Sequence, residues 1–244
     1  MSEIKKYLIW ALLLMVVLSV FNACVHLGSY TDKLWLHRCN SIEKMQEFEE
    51  DFPNIEVDIV YRGNGVFDIT HDADTTFGLK IDSYFSKIGD TDDKMWLDIK
   101  NVNEKNVEEM EESLDSIRDV YNVEMDQLII EGGDYNALET FTDEGYYTSY
   151  YVPFDKPWKL SETEKDSCID KLQDIADSKK TCALSFPGWW YIPIKRNLHR
   201  DIDLLTWKHR TTELNFLLSP MHDKMLNDEQ LKVILIKSKG HYHR

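Results

Sequence analysis

A closed (β/α)8 barrel in a single domain is the fold this sequence predicts, on three observations. Eight short apolar runs rich in β-branched and aromatic residues recur along the chain, each the length of a buried strand. Helical patterns separate them, and strands that alternate with helices form a parallel sheet covered by those helices. The 244 residues suffice for one large core, and eight strands in one domain favour closure over an open doubly wound sheet. No internal repeat, low-complexity tract or second domain breaks the pattern.

The elements follow in order. Lys5 and Lys6 precede an uncharged run from Tyr7 to Ala23, which reads as a signal-peptide core or membrane anchor within residues 1–24. Cys24, after "FNA", is a candidate lipidation site. With lipid or with an uncleaved anchor, the protein is expected to be exported and tethered to a membrane on its periplasmic or cell-surface side. Residues 25–33 form a linker, and 34–244 the barrel. The first strand, Leu34 to Arg38, leads to a helix over Ser41 to Glu50 and a second strand, Ile55 to Tyr61. Gly63-Asn64-Gly65 then marks a hairpin turn, and a further helix covers Leu79 to Ile88. After the strand Met95 to Lys100, Val107, Met110, Leu114, Ile117 and Val120 recur at three- and four-residue steps behind the cap-like Asn103, the stripe of an amphipathic helix ending at Tyr121. Strands at Gln127 to Glu131 and Tyr146 to Val152 flank a helix over Tyr135 to Glu144, and a helix over Ser161 to Ser178 precedes the strand Thr181 to Phe186. The stretch "FPGWWYIPIKRNLHR" leads to the strand Ile202 to Trp207, a helix over Thr211 to Leu218 and the last strand, Leu231 to Lys237.

Acidic residues outnumber basic ones, 44 to 28, for a formal charge of −16, so a nucleic-acid backbone is repelled and that partner class is set aside. Besides Cys24, the three cysteines Cys39, Cys168 and Cys182 lack paired C-x-x-C spacing, which argues against structural zinc or a disulfide lattice and leaves one optional bridge, Cys168 to Cys182. The spaced acids of "DADTTFGLKID" lack the closing Glu of a calcium loop and read as a loop entering a helix, and the tail "KGHYHR" as a frayed terminus.

Residues two apart on a strand share a face, so Glu56 and Asp58 point together, as do Asp98 and Lys100 on the next strand. Turned outward they are solvated polarity. Turned inward, their carboxylates repel unless something positive stands among them, and three carboxylate oxygens without a cysteine suit one hard ion, Mg²⁺ or Ca²⁺. Two such pairs at strand ends, flanked by histidines, favour the inward reading. His37 ends the first strand and His71 follows the hairpin, both at the C-terminal face where barrel enzymes keep their sites. Two histidines beside a divalent ion can act as acid and base in phosphoryl transfer, with Arg38 helping to balance the phosphate charge. Glu131 ends its strand and either binds a substrate hydroxyl or pairs with Lys100, while Trp189 and Trp190, beside Lys195, Arg196 and Arg200, either line the mouth as a headgroup or sugar-binding loop or cover neighbouring strands.

Taken together, His37-Arg38, Glu56-x-Asp58, His71-Asp72, Asp98-Ile-Lys100 and Trp207 resemble the phosphatidylinositol-phospholipase-C-like phosphodiesterase superfamily of (β/α)8 barrels. By pattern the nearest relatives are glycerophosphodiester phosphodiesterases and venom sphingomyelinase D enzymes, and "HRxNS" and "EVDI" are similar to the menorin-type branch. The resemblance implies that His37 and His71 form the acid/base pair, that Glu56, Asp58 and Asp98 bind Mg²⁺ or Ca²⁺, and that Arg38 and Lys100 contact phosphate. It also draws Trp207 into the substrate-binding set. Three features depart from the glycerophosphodiesterase pattern: Cys39 and Asn40 follow His-Arg where glycine is usual, Asp98 replaces a glutamate, and the insertion after the second histidine is missing. The expected protein is therefore a metal-dependent phosphodiesterase, a hydrolase or a cyclising lyase, acting as a monomer on a glycerol-, lipid- or glycan-linked phosphodiester. The alternative is a catalytically silent barrel that binds surface polysaccharide or lipid.

Overall fold

The structure, a computed structural model, describes residues 3–27, 32–207, 212–217 and 219–238. A helix α1 (Glu3–Leu27) precedes the barrel. The chain then runs β1 (Leu34–Leu36), α2 (Ile42–Phe48), β2 (Ile55–Tyr61), β3 (Phe67–Ile69), α3 (Asp82–Ile88), β4 (Met95–Ile99), α4 (Val107–Val120), β5 (Leu128–Gly132) and α5 (Tyr135–Asp143). It continues through β6 (Tyr147–Tyr151), α6 (Glu162–Ser178), β7 (Ala183–Pro187), α7 (Tyr191–Asn197), β8 (Asp203–Trp207), α8 (Glu213–Leu217), α9 (His222–Leu226) and β9 (Leu231–Ile236). All of these strands except β3 pair in parallel, and β1 joins both β9 and β2, so eight strands close into a barrel. β3 folds back antiparallel on β2 through the expected Gly63-Asn64-Gly65 turn, whose three residues all have positive φ, at 82°, 50° and 74°.

Two separate apolar clusters follow from the period-two alternation of the strands. Residues such as Leu36, Val57, Ile59, Leu97 and Ile130 face outward against the helices, including Leu114 of α4, Phe141 of α5 and Leu172 of α6. The alternate residues Trp35, Trp96, Ile129, Ala183, Leu205, Val233 and Leu235 fill the barrel interior. This inner plug is a packed layer, as expected for eight strands, and it supports whatever stands above it at the C-terminal ends.

Strand rhythm matches the structure within a few residues, and the differences have local causes. β1 stops at Leu36 because Arg38 turns the chain at φ 52°. α4 begins at Val107 and not at Asn103, since Asn103 and Asn106 first tie a turn in which the Asn103 N–H donates to Asn106 Oδ1 at 2.9 Å. Gln127 belongs to a short 3-10 turn closed by a capping box with Glu124, which moves β5 on by one residue. Within "FPGWWYIPIKRNLHR", α7 forms with Pro193 in its first turn, where a missing N–H goes unused. α9 is a further helix without a sequence signal.

α1 covers the apolar run and extends through residues 25–27, assigned above to the linker, while 28–31 lie outside the described residues. Among the described residues no helix is long and apolar enough to cross a membrane. Cys24 lies on α1, its side chain outside those described. Thr211, Leu218 and the whole "KGHYHR" tail also fall outside the described residues. Cys39, Cys168 and Cys182 are free, so the optional bridge is not formed.

Candidate active site

The site is assembled where β1, β2 and β4 end. After β1 the His37 N–H donates to the Ile236 carbonyl of β9 at 2.8 Å, and the left-handed Arg38 swings the chain inward. Two groups hold this turn. The Arg38 N–H donates to Glu56 Oε2 at 2.6 Å, and the Lys44 ammonium of α2 donates to the His37 and Arg38 carbonyls, each at 2.8 Å. Lys44 is only 2% exposed, so a charge has been taken out of water to fix these two carbonyls. Cys39 buries its side chain in the layer between strands and helices, and its carbonyl accepts from the Tyr84 hydroxyl at 2.6 Å. Asn40 then grips Asp58 twice: its Nδ2 donates to Asp58 Oδ2 at 2.7 Å, and its Oδ1 accepts from the Asp58 N–H at 2.9 Å. The segment Cys39-Asn40 thus seats the turn in the wall and orients a carboxylate.

Glu56 and Asp58 are buried, and register places Asp98 beside Asp58 and Glu131 beside Asp98 on successive strands. Glu56, Asp58 and Asp98 each offer an oxygen within 4.8 Å of the others. That spacing fits a hard divalent cation, whose oxygen ligands stand roughly 2.0–2.6 Å from the ion. Lys100 also meets this cluster, with Nζ 2.6 Å from Asp58 Oδ1 and hydrogen-bonded to the Asp98 carboxylate. The positive group required among these acids is therefore in part the side chain of Lys100, the residue just past the end of β4.

Electrostatics separate the acids. Burial, then the neighbouring Asp58 and Asp98, holds Glu56 well above the usual carboxylate range. Burial also pushes Asp58 up, but Lys100, Arg38 and Asn40 more than offset it and hold its carboxyl low. Burial raises Asp98 despite Lys100, whose own ammonium is stabilised by Asp98, Asp58 and Glu56 beyond what its burial removes. His37 is pushed down to about 3, first by burial and then by Arg38, so its imidazole is neutral. Its Nε2 lies 3.7 Å from Glu56 Oε2, and its buried Nδ1 has no hydrogen-bond partner among the described residues.

A cavity of about 330 Å³ opens over the acids, and His71 lines its far side. His71 is half-exposed, with Nδ1 2.7 Å from Asp72 Oδ1. Its loop is pinned by Arg62, which pairs with Asp68 at 3.1 Å, donates to the Thr75 carbonyl at 2.6 Å and bonds the Ala73 carbonyl. Trp207 forms the opposite wall, stacked on Tyr151 with centroids 5.3 Å apart and planes 15° from parallel.

The structure thus brings together His37, Arg38, Glu56, Asp58, His71, Asp98, Lys100, Glu131 and Trp207 around one cavity. At two places the structure bears on alternatives that the sequence left open. Glu131 makes no ion pair with Lys100 among the described residues; the Trp96 Nε1 donates to it at 2.5 Å and the Ser185 hydroxyl bonds its other oxygen, and burial holds its carboxyl high. Trp189 and Trp190 do not line the cavity. Trp190 is buried in the turn that leads into α7, donating to the Asp155 carbonyl at 3.0 Å, and Trp189 packs on Trp158. Covering the strands is the stronger pull on a large apolar ring. Asn40, Lys44, Arg62, Tyr151 and Lys237 were not singled out for the site. Tyr151 and Lys237 could have been found by the two-residue step from Ser149 and Leu235.

Fold and site together define a (β/α)8 barrel whose catalytic-type face carries a carboxylate cluster fit for a divalent cation. Solved structures share that fold at low identity. A protein described as a glycerophosphoryl diester phosphodiesterase from Silicibacter pomeroyi superposes with TM-score 0.58 at 12% identity, over 84% of this chain and 89% of that one. A glycerophosphodiester phosphodiesterase from Parabacteroides distasonis gives 0.55 at 12%, over 84% and 93%. A calcium-dependent phosphoinositol-specific phospholipase C from a Pseudomonas species gives 0.54 at 8%, over 87% and 93%. At these identities the likeness is one of fold. No family model and no curated protein sequence matches the chain.

Proposed function

We propose that this protein is a cation-dependent phosphodiesterase acting on a glycerol-, lipid- or glycan-linked phosphodiester. The observation that carries the reading is the meeting of Glu56, Asp58 and Asp98 oxygens within 4.8 Å, in a cavity also lined by His37 and His71. The described activities of the fold relatives, phosphodiester and phosphoinositol cleavage, support it.

Glu56, Asp58 and Asp98 would hold one Mg²⁺ or Ca²⁺, which when bound supplies positive charge to a phosphoryl oxygen. Arg38 and Lys100 add fixed cations to the same anion. His37, kept neutral by burial, accepts the proton of the attacking hydroxyl as its oxygen bonds to phosphorus. His71, with Nδ1 held by Asp72, presents Nε2 to protonate the leaving alcohol oxygen as its bond to phosphorus breaks. With water as nucleophile the products are a phosphomonoester and an alcohol. With a neighbouring substrate hydroxyl they are a cyclic phosphate and an alcohol. The Tyr151–Trp207 stack and Glu131 complete the substrate wall. Export and membrane tethering, by lipid at Cys24 or by an uncleaved α1 anchor, and a monomeric state belong to the same reading.

Hydrolysis of bis(p-nitrophenyl) phosphate and glycerophosphodiesters, with and without EDTA, tests it. EDTA should abolish turnover, and His37→Ala should lower it by about 10²–10⁴-fold with little change in Tm. Turnover that survives both treatments overturns the assignment.

A second reading, a silent barrel that binds polysaccharide or lipid, is favoured by the position of Lys100. Its ammonium already lies against Asp58 and Asp98, which lets the cavity persist without an added ion. A folded chain that binds such a ligand and hydrolyses no diester would support that reading.

A further inference from the structure

The barrel leaves few large apolar side chains in the open. Outside α1, the exposed ones among the described residues are Phe77, Val120, Tyr151 and Trp158; Tyr151 lines the cavity, and Phe77 and Trp158 stand on loops at that same C-terminal end of the barrel. Phe77, 52% exposed, stands on the loop that carries His71. Tyr151 ends β6 in the cavity wall. Trp158, 67% exposed, lies in the 3-10 turn Pro157–Lys159 that follows β6. Scattered surface apolar residues need no explanation, whereas their gathering on one face marks a contact surface.

Trp158 is part of a built cluster. Its ring meets Trp189 edge to face at 5.9 Å, and Lys156 Nζ stands over both rings, 5.6 Å from the Trp158 centroid and 5.2 Å from that of Trp189. Pro157, at the head of the turn, stiffens the backbone that presents the ring. Indole rings with an ammonium beside them suit the boundary zone of a bilayer, where the rings sit among headgroups and the cation meets phosphate. A sugar platform needs an open ring face, and here Lys156 stands over a face of each ring. α1 brings a second apolar element to the same kind of surface, with exposed side chains from Tyr7 to Leu18.

We propose that this rim, with Phe77 and Trp158 at its tips and Lys156 against lipid phosphate, docks the barrel mouth on a phospholipid surface and so presents a lipid-borne phosphodiester to the site. The substrate half of the proposal rests on the phosphodiesterase reading; the docking half does not require turnover.

Hydrogen exchange of the full chain, with and without vesicles of phosphatidylcholine and phosphatidylglycerol, tests the docking. Deuterium uptake in loops 72–80 and 153–160 should slow by about twofold or more on the vesicles. A Phe77→Ser, Trp158→Ser double variant should lose that slowing while α1 stays protected. Protection confined to α1 overturns the proposal, as does loop protection that the double variant retains or that a soluble oligosaccharide gives and vesicles do not. Because no turnover is measured, a chain without hydrolase activity can still bear the docking out, and an active hydrolase with unprotected loops refutes docking alone.

Discussion

On five strands, the residue that fills the barrel floor and the residue that lines its mouth stand two positions apart. Trp35 lies below His37, Trp96 below Asp98, Ile129 below Glu131, Leu205 below Trp207 and Leu235 below Lys237. That step is roughly 7 Å along a strand, yet the two levels answer to different physics. The floor is apolar and filled, and gains from every atom removed from water. The mouth gathers four carboxyl groups, Glu56, Asp58 and Glu131 buried and Asp98 half-buried, with Lys100 against two of them, a composition that opposes folding and is tolerated where chemistry needs it. A strand can carry both because alternation keeps its other face against the helices at each level.

Substitutions at the two levels should therefore move stability in opposite directions. The largest effect is expected at the floor. Trp96→Ala empties the centre of the plug and removes a donor to Glu131, and should lower unfolding free energy by about 3–5 kcal/mol in denaturant titrations. A loss below 1 kcal/mol would mean that the interior is not a packed layer. Next comes the cation. At a hundred times its dissociation constant, Ca²⁺ or Mg²⁺ should stabilise the folded chain by about 2.7 kcal/mol, read as a rise in Tm that Asp58→Asn abolishes. A Tm that ignores both ions would remove the mouth's carboxylates from metal chemistry.

The smallest effect has the opposite sign. Glu56→Gln should raise stability by about 1 kcal/mol in the absence of added ion, because it deletes a carboxylate whose burial disfavours charge. The pH dependence follows from the direction of the shift. A carboxyl held above its ordinary value weakens the fold as pH rises past that ordinary value, so the gain from Glu56→Gln should be negligible near pH 4 and grow as pH rises toward neutrality. Thermal melts of the two proteins across that range check it, and an equal gain at both ends would assign the effect to packing instead of charge.

The contrast also explains what was legible in the sequence. Period-two patterning located β2 to the residue and put Glu56, Asp58, Asp98 and Lys100 on inward faces, because alternation is a property of the strand itself. It could not say that Lys100 would bond both Asp58 and Asp98, since that depends on how two neighbouring strands are staggered. Lys44 and Asn40 were equally hidden. Each acts through a turn whose shape is set by Arg38 at positive φ, a conformation that no residue in "HRCN" advertises. Trp189 and Trp190 show how two readings can stay open in the sequence. Aromatic residues beside cations look like a binding loop in one dimension, while in three dimensions one ring is fully buried and the other packs on Trp158, and neither lines the cavity.

The closure of the barrel through β1 has a consequence for how the molecule is made. Leu34 pairs with Ile234 and the His37 N–H bonds the Ile236 carbonyl, contacts between positions roughly 200 residues apart. Pairings of such long range come at a heavy entropic disadvantage until the intervening chain is ordered, so they form late. During synthesis the ribosome must release nearly the whole chain before the first strand finds its last neighbour. The turn that carries His37 and Arg38 is thus finished at the end of folding, and a nascent or C-terminally trimmed chain holds its acids without the histidine turn that completes the site.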